Sequence, residues 1–245
     1  MTGGRPVDDA SAARGRWARL TWQAADPAAR AAAIGRQLGL VPELVPPGGW
    51  RLDLGGEALE VVPWRREGPR DEPSAEGRLV LEPIDDGGPL PELVPDAGLA
   101  LAGIAWATVE LDRAEMELEP WLVAPDPALG DGDAPAEPHL GATARRRRTL
   151  ALPGATLLLA EPDTEGRLAA SLARDGEGPV ALYLRTAAGL EAFVAAARAR
   201  GVPVSARRPG PLGPAVLLPG RGIAGPHLLV VDGRSGAPGP STIAP

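Results

Sequence analysis

His227 opens an apolar run of strand type, HLLVV, and is one of only two histidines in 245 residues, the other being His139. An imidazole in that place either completes a hydrogen-bonded structural contact or serves a ligand. The other candidates are Glu60 and Glu161, near the ends of apolar runs, and Gln23, which alternates with Thr21 along another. A carboxylate at a strand end is more often solvated than functional. The chain contains no cysteine, lysine or asparagine. Thiolate nucleophiles, disulfides, Cys-type zinc sites, iron-sulfur clusters, Schiff bases and a Walker-type phosphate lysine are therefore excluded. No G-x-S-x-G elbow is present, and the glycine clusters lack the strand-loop-helix setting of a phosphate loop.

Charge narrows the partners. The 32 acidic residues outnumber 25 arginines, for a net charge of -7, which is the reverse of a duplex-binding balance. The run Arg145, Arg146, Arg147, Arg148 is the one feature that argues for nucleic acid. Strand alternation splits it between two faces, so acid-paired or solvated arginines are the expectation, with an anionic small ligand open for one face. No apolar run approaches the roughly 18 residues of a membrane span, and the first 15 residues lack a signal-peptide core, so a cytoplasmic protein is expected.

These side chains need elements to hold them, and the composition favours short ones. Hydrophobic residues make up 44% of the chain, enough for a core, while 32 Gly and 29 Pro break it often. Residues 1–15 and 233–245 are expected to be disordered. A first stretch, 16–98, holds a strand over Ala18–Ala25, a helix that starts at Asp26-Pro27 and stops at Gly39, and strands over Trp50–Leu54, Ala58–Trp64 and Arg78–Glu82. A Pro/Gly/Asp-rich linker follows. A second stretch has a strand over Ile104–Leu111, helical turns over Asp112–Leu118, a loop over Pro125–Pro138 and a hairpin of Thr143–Leu152 with Ala155–Glu161. In the segment Glu161–Pro179, a short helix capped by Asp163 or Thr164 carries Glu165 and Arg167, which either gate a ligand or form a surface ion pair. A third stretch orders a strand (Val180–Arg185), a helix (Gly189–Arg200) and strands over Val202–Ala206, Pro214–Leu218 and His227–Val231.

The segment LEAFVAAARARGVPVSARRPGPLGPAVLLPGRGIAGPHLLVVD, Leu190–Asp232, with WATVELDRA, Trp106–Ala114, resembles the βαβββ module of the vicinal oxygen chelate superfamily. That superfamily includes glyoxalases, extradiol dioxygenases and bleomycin-resistance proteins. The resemblance covers Leu99–Asp232 and, more loosely, Arg16–Glu82. It implies an α+β fold in which paired βαβββ modules form an incomplete mixed-sheet barrel over 99–232, with an extra N-terminal βαβββ-like half-module. That half-module exposes an apolar face and should pack on the barrel or on a second chain, so a homodimer is possible.

The superfamily's metal ion sits on a His or Gln of each module's first strand and a Glu of each last strand. Those first-strand positions fall near Arg19, Ala105 and Ala181, none of them a ligand, while Gln23 lies too far along its strand. The resemblance therefore implies a small-molecule binder with a degenerate metal site and no cofactor, of the drug- or metabolite-sequestering kind. The alternative is a lyase, isomerase or dioxygenase using a divalent Zn, Ni, Mn or Fe. In the barrel that the resemblance implies, strand parity turns Trp106, Thr108, Glu110, Tyr183 and Arg185 towards the ligand and Val180, Leu182 and Leu184 under the helix, while His227 falls close to the family's ligand position on a closing strand.

Overall fold

The computed structural model describes residues 17–55, 57–64, 77–84, 98–122, 136–148, 155–220 and 226–232. The expected tails, 1–15 and 233–245, and most of the two Pro/Gly-rich linkers lie outside the described residues.

Local rules account for the first module. Asp26 accepts the Ala29 N–H at 3.0 Å and Pro27 takes the first turn, which starts helix α1 (Pro27–Leu38). Gly39, at φ 77°, stops it by donating to the Gly35 carbonyl. Around this helix run β1 (Trp17–Ala24), β2 (Glu43–Val45), β3 (Gly49–Asp53), β4 (Ala58–Pro63) and β5 (Arg78–Ile84), paired in the order β2-β3-β4-β1-β5. β1 and β4 are parallel and the remaining pairs antiparallel, which is the βαβββ pattern. The strand β2 has no apolar alternation and escapes a sequence reading.

The second sheet pairs β11-β12-β10-β6-β9-β8-β7. Its first module is β6 (Leu99–Ala107), α2 (Leu111–Leu118), β7 (Ala136–Glu137), β8 (Ala142–Arg148) and β9 (Thr156–Pro162), with β6 parallel to β9. Its second is β10 (Gly178–Thr186), α4 (Leu190–Ala199), β11 (Ala215–Leu218) and β12 (His227–Asp232), with β10 parallel to β12. Helix α3 (Arg167–Asp175) joins them, and β6 pairs antiparallel with β10 to make one continuous sheet. Against β1, β5 holds the place that β10 holds against β6, so the first sheet is a module plus one strand.

The fold is thus the α+β, βαβββ-module architecture that the element order implies, with local departures. Val202–Ala206 is not a strand, because Pro203 has no N–H to give. Only Ser205 reaches β11, its N–H donating to the Leu217 carbonyl at 3.0 Å while its hydroxyl accepts from the Leu217 N–H at 2.8 Å. β6 begins at Leu99, five residues before the expected start, since LALAGIAWA is apolar on both faces and shows no alternation. The cap expected from Asp163 or Thr164 is absent. Gly166 takes the N-cap position of α3, and Asp163 accepts instead from the Thr143 hydroxyl at 3.0 Å.

One apolar core spans both sheets. Trp22, Ile34, Leu52 and Val61 of the first sheet belong to the same buried cluster as Ile104, Leu159, Leu182, Leu184, Phe193 and Val230 of the second. The first module therefore covers its apolar face against the rest of its own chain. At the junction the Leu101 N–H donates to the Leu54 carbonyl at 3.1 Å. Gly55 is required there twice over: its φ is 72°, and a Cβ would stand 2.8 Å from the Leu99 carbonyl oxygen. Among the described residues no helix is long and apolar enough to cross a membrane.

Candidate functional site

The opposite face of the second sheet has its own core. Alternation sends Ala105 and Ala107 of β6, Ala142 and Ala144 of β8, Leu158 and Ala160 of β9, Ala181 and Tyr183 of β10, and Leu229 and Val231 of β12 to one side. Many of these are alanines. The room they leave is filled by Leu140, by Tyr183 and by Leu168 of α3, all buried. The residues after β7, at one edge of the sheet, meet β11 at the other, where His139 Nε2 lies 3.0 Å from the Ala215 carbonyl oxygen. The sheet is therefore curled, and this alanine-rich face is its inside.

A polar seam holds the two edges together. Glu137, 0% exposed, accepts the Tyr183 hydroxyl on Oε2 at 2.6 Å and the His139 backbone N–H on Oε1 at 2.9 Å. Arg208 crosses the same gap, donating to the Pro138 carbonyl at 3.3 Å. Because a carbonyl only accepts, the His139 ring must carry its proton on Nε2. Burial raises the Glu137 carboxyl above its usual value against the opposing hydrogen bonds from Tyr183 and His139. Burial, then the Glu137 charge, pushes the Tyr183 hydroxyl well up, so it remains a donor. Burial, reinforced by Arg208 and Arg167, lowers His139. Nothing in the sequence marks Glu137, which lies where a loop is expected. Its sole signal is an acid directly before Pro138 and two residues from a histidine.

Removing the Tyr183 hydroxyl leaves a buried carboxylate short of a donor. Tyr183→Phe is expected to lower stability by about 2 kcal/mol at neutral pH, and by much less once acid protonates Glu137. Denaturant unfolding at the two pH values checks this. An equal loss at both would mean that the hydroxyl does not act through the carboxylate.

His227 lies deeper in the sheet. It pairs with Ala181, which pairs with Ala105, which pairs with Leu158, so these positions follow one ring of the curled sheet across its inner face, which continues to Arg146 on β8. The His227 side chain is 2% exposed, and its Nε2 is buried without a hydrogen-bond partner. Burial first, then the arginines Arg167 and Arg174 of α3, pushes its pKa down from 6.5 to about 3. It is a neutral imidazole at physiological pH. In this ring Ala105 and Ala181 offer no ligand atom to a cation and His227 stands alone. Among the described residues no three His, Cys, Asp or Glu side chains group as a metal ion would need.

The structure disperses the rest of the expected set. Tyr183 shares the inner face with His227, but its hydroxyl is committed to Glu137. Trp106 has the opposite parity, because Ala105 and Ala107 take the inner face. It lines a cavity of about 10 Å³ between the sheets with Leu81, Trp121 and Leu157, too small for an organic ligand. Thr108 donates to Glu177 Oε1 at 2.8 Å, beyond the end of β6, and Glu110 is exposed at the start of α2. Arg185 is exposed near the end of β10. Leu182 and Leu184 share the core cluster of Leu190, Phe193 and Ala197 of α4, whereas Val180 joins the inner core because a bulge at Pro179/Ala181 shifts the register.

The remaining candidates have local roles or none. Glu60 approaches Arg19 at 3.9 Å. Glu165 is exposed and forms no pair with Arg167. Arg145 bonds Asp112 at 2.6 Å and Glu115 at 2.7 Å, and Arg147 bonds Glu115 at 2.6 Å, so α2 neutralises one face of the arginine run as the alternation predicts. Arg146 is exposed on the other face.

A curled sheet of paired βαβββ modules is the vicinal oxygen chelate fold. A variant of 4-hydroxymandelate synthase from Streptomyces coelicolor superposes on 92% of this chain and 94% of its own, with a TM-score of 0.60 at 14% identity. Methylmalonyl-CoA epimerase from Mycobacterium tuberculosis matches 54% of this chain and 86% of its own, with a TM-score of 0.43 at 19% identity. No protein-family model matches the sequence, and no curated protein matches it at a significant level.

Proposed function

We propose that this is a glyoxalase-like protein that binds a small organic molecule against the inner face of the second sheet, beneath α3, without a metal ion. The observation that carries the reading is His227 Nε2, buried and unpaired. An imidazole nitrogen left so costs about 1–3 kcal/mol, which a ligand hydroxyl or carbonyl would recover. Arg167, on the helix above, lies close enough to depress both histidines and would favour a ligand with an acidic group. Access requires α3 to lift, since Leu168 and Ser171 are buried beneath it. Sequestration of a drug or metabolite, in a cytoplasmic setting, is the corresponding role.

The second reading, a divalent-metal-dependent lyase, isomerase or dioxygenase, is supported by the fold likeness to an enzyme. The residues of the ring do not fit it, because Ala105 and Ala181 stand at the first-strand positions.

Two measurements separate these readings. Protein purified without chelator should carry far less than one divalent ion per chain, and about one tightly held ion per chain would favour the enzyme. A metabolite panel read by thermal shift should contain a ligand that raises the melting temperature of the wild type and does so less in His227→Leu. Protection unchanged by that substitution would place the ligand elsewhere.

A further inference from the structure

A second site lies away from the inner face. A cleft of about 740 Å³ runs between α1 and the segments that flank β11, with Arg30, Arg36 and Arg200 in its walls. That volume falls within the roughly 300–1,000 Å³ of small-molecule sites. Its charge opposes that of the chain, since among the described residues Asp26 is the one acidic residue lining it, and the Asp26 carboxylate already accepts the Ala29 N–H in capping α1.

We propose that this cleft binds the phosphate group of a small phosphorylated molecule. Two of the three guanidiniums are held in place before any ligand arrives. Arg200 donates from Nε to the Arg36 carbonyl at 3.1 Å and from Nη2 to the Gln37 carbonyl at 3.2 Å. Those bonds fix its plane against the last turn of α1 and leave further N–H groups of its fork for another acceptor. Gly39 eases the approach, because a Cβ there would stand 3.1 Å from the Arg200 guanidinium carbon and make it shift. Arg30 lies over the Trp22 ring, 5.5 Å from its centroid.

Arg36 is exposed, and among the described residues its guanidinium meets no acceptor. Ala29 and Ala33 keep the α1 wall low between these arginines. The Arg36 guanidinium and the remaining N–H groups of Arg200 border one cleft and present forked donors, which suit an oxyanion that carries more than one charge and accepts in pairs. Phosphate meets both needs better than a single carboxylate does.

The test is calorimetric titration of the full chain with inorganic pyrophosphate, with citrate as a comparison anion of similar charge. The expected result is one pyrophosphate site per chain, weakened in about 0.2 M NaCl. Arg36→Gln should weaken binding at least about tenfold, as the loss of a charge-assisted bond does. Its melting temperature should stay at the wild-type value, because the substitution keeps the Arg36 carbonyl that Arg200 bonds and, among the described residues, the Arg36 guanidinium holds no other group. Arg51→Gln, which alters an exposed arginine on β3 outside the cleft, should leave binding unchanged. Absence of binding at millimolar pyrophosphate would overturn the site. Equal weakening by Arg51→Gln would reduce it to general charge attraction, and citrate binding as tightly would overturn the assignment to phosphate.

Discussion

His227→Leu is expected to flatten the acid limb of the stability curve. In the native protein the imidazole takes a proton only near pH 3, whereas in the unfolded chain it does so near 6.5. Between those values the unfolded state binds more protons, so the stability that the neutral buried ring retains above 6.5 is lost as the pH falls towards 3. At pH 4 the loss is about 3 kcal/mol, and leucine, having nothing to protonate, does not suffer it.

Two neighbouring groups stay in the variant and set its remaining slope. His139, also depressed, still costs stability as the pH falls below 6.5. Glu137 works the other way: its folded value is raised, so its contribution is complete below 4.5 and is lost as the pH rises through the folded value. Urea unfolding of both proteins from pH 4 to pH 8 checks the difference. Parallel curves would mean that the ring is free to protonate in the fold, and with it would go the case for a neutral, unpaired imidazole under α3.

Trp22→Ala is expected to produce the largest loss at neutral pH. Trp22 is 1% exposed in the core that spans both sheets, and its ring also carries the Arg30 guanidinium. Emptying so large a buried site costs about 3–5 kcal/mol, on the order of 10 °C in melting temperature for a chain of this size. The form of the transition tells more than its midpoint. Because Trp22 and Leu182 belong to one apolar cluster, the whole chain should unfold in a single transition that moves as a unit. Two calorimetric transitions, with only one displaced, would show that the sheets hold separate cores.

Short-range chemistry is what can be read directly in this chain. Asp26-Pro27 and Gly39 bracket α1 to the residue. Alternation in ALYL puts Ala181 and Tyr183 on one face and Leu182 and Leu184 on the other. The order of the modules follows from such local signals, and with it the fold. Element edges fail where the local signal vanishes: β6 is apolar on both faces, β2 and β7 are too short to alternate, and Pro203 interrupts an otherwise extended run.

The candidate site was legible only in part. His227 and Tyr183 stand out by residue type and fall on the inner face, but Trp106 turns the other way, and Glu137 and His139 give no sign of their partners. Their meeting depends on the curl of the sheet, which carries β7 to β11 and sets Glu137 46 residues along the chain from the hydroxyl it accepts. Caps, turns and strand parity are settled by neighbours a few residues apart, so the amino-acid order fixes them. Which polar groups are buried, paired or left without a partner is settled by contacts between distant segments, and only the closed sheet creates those contacts.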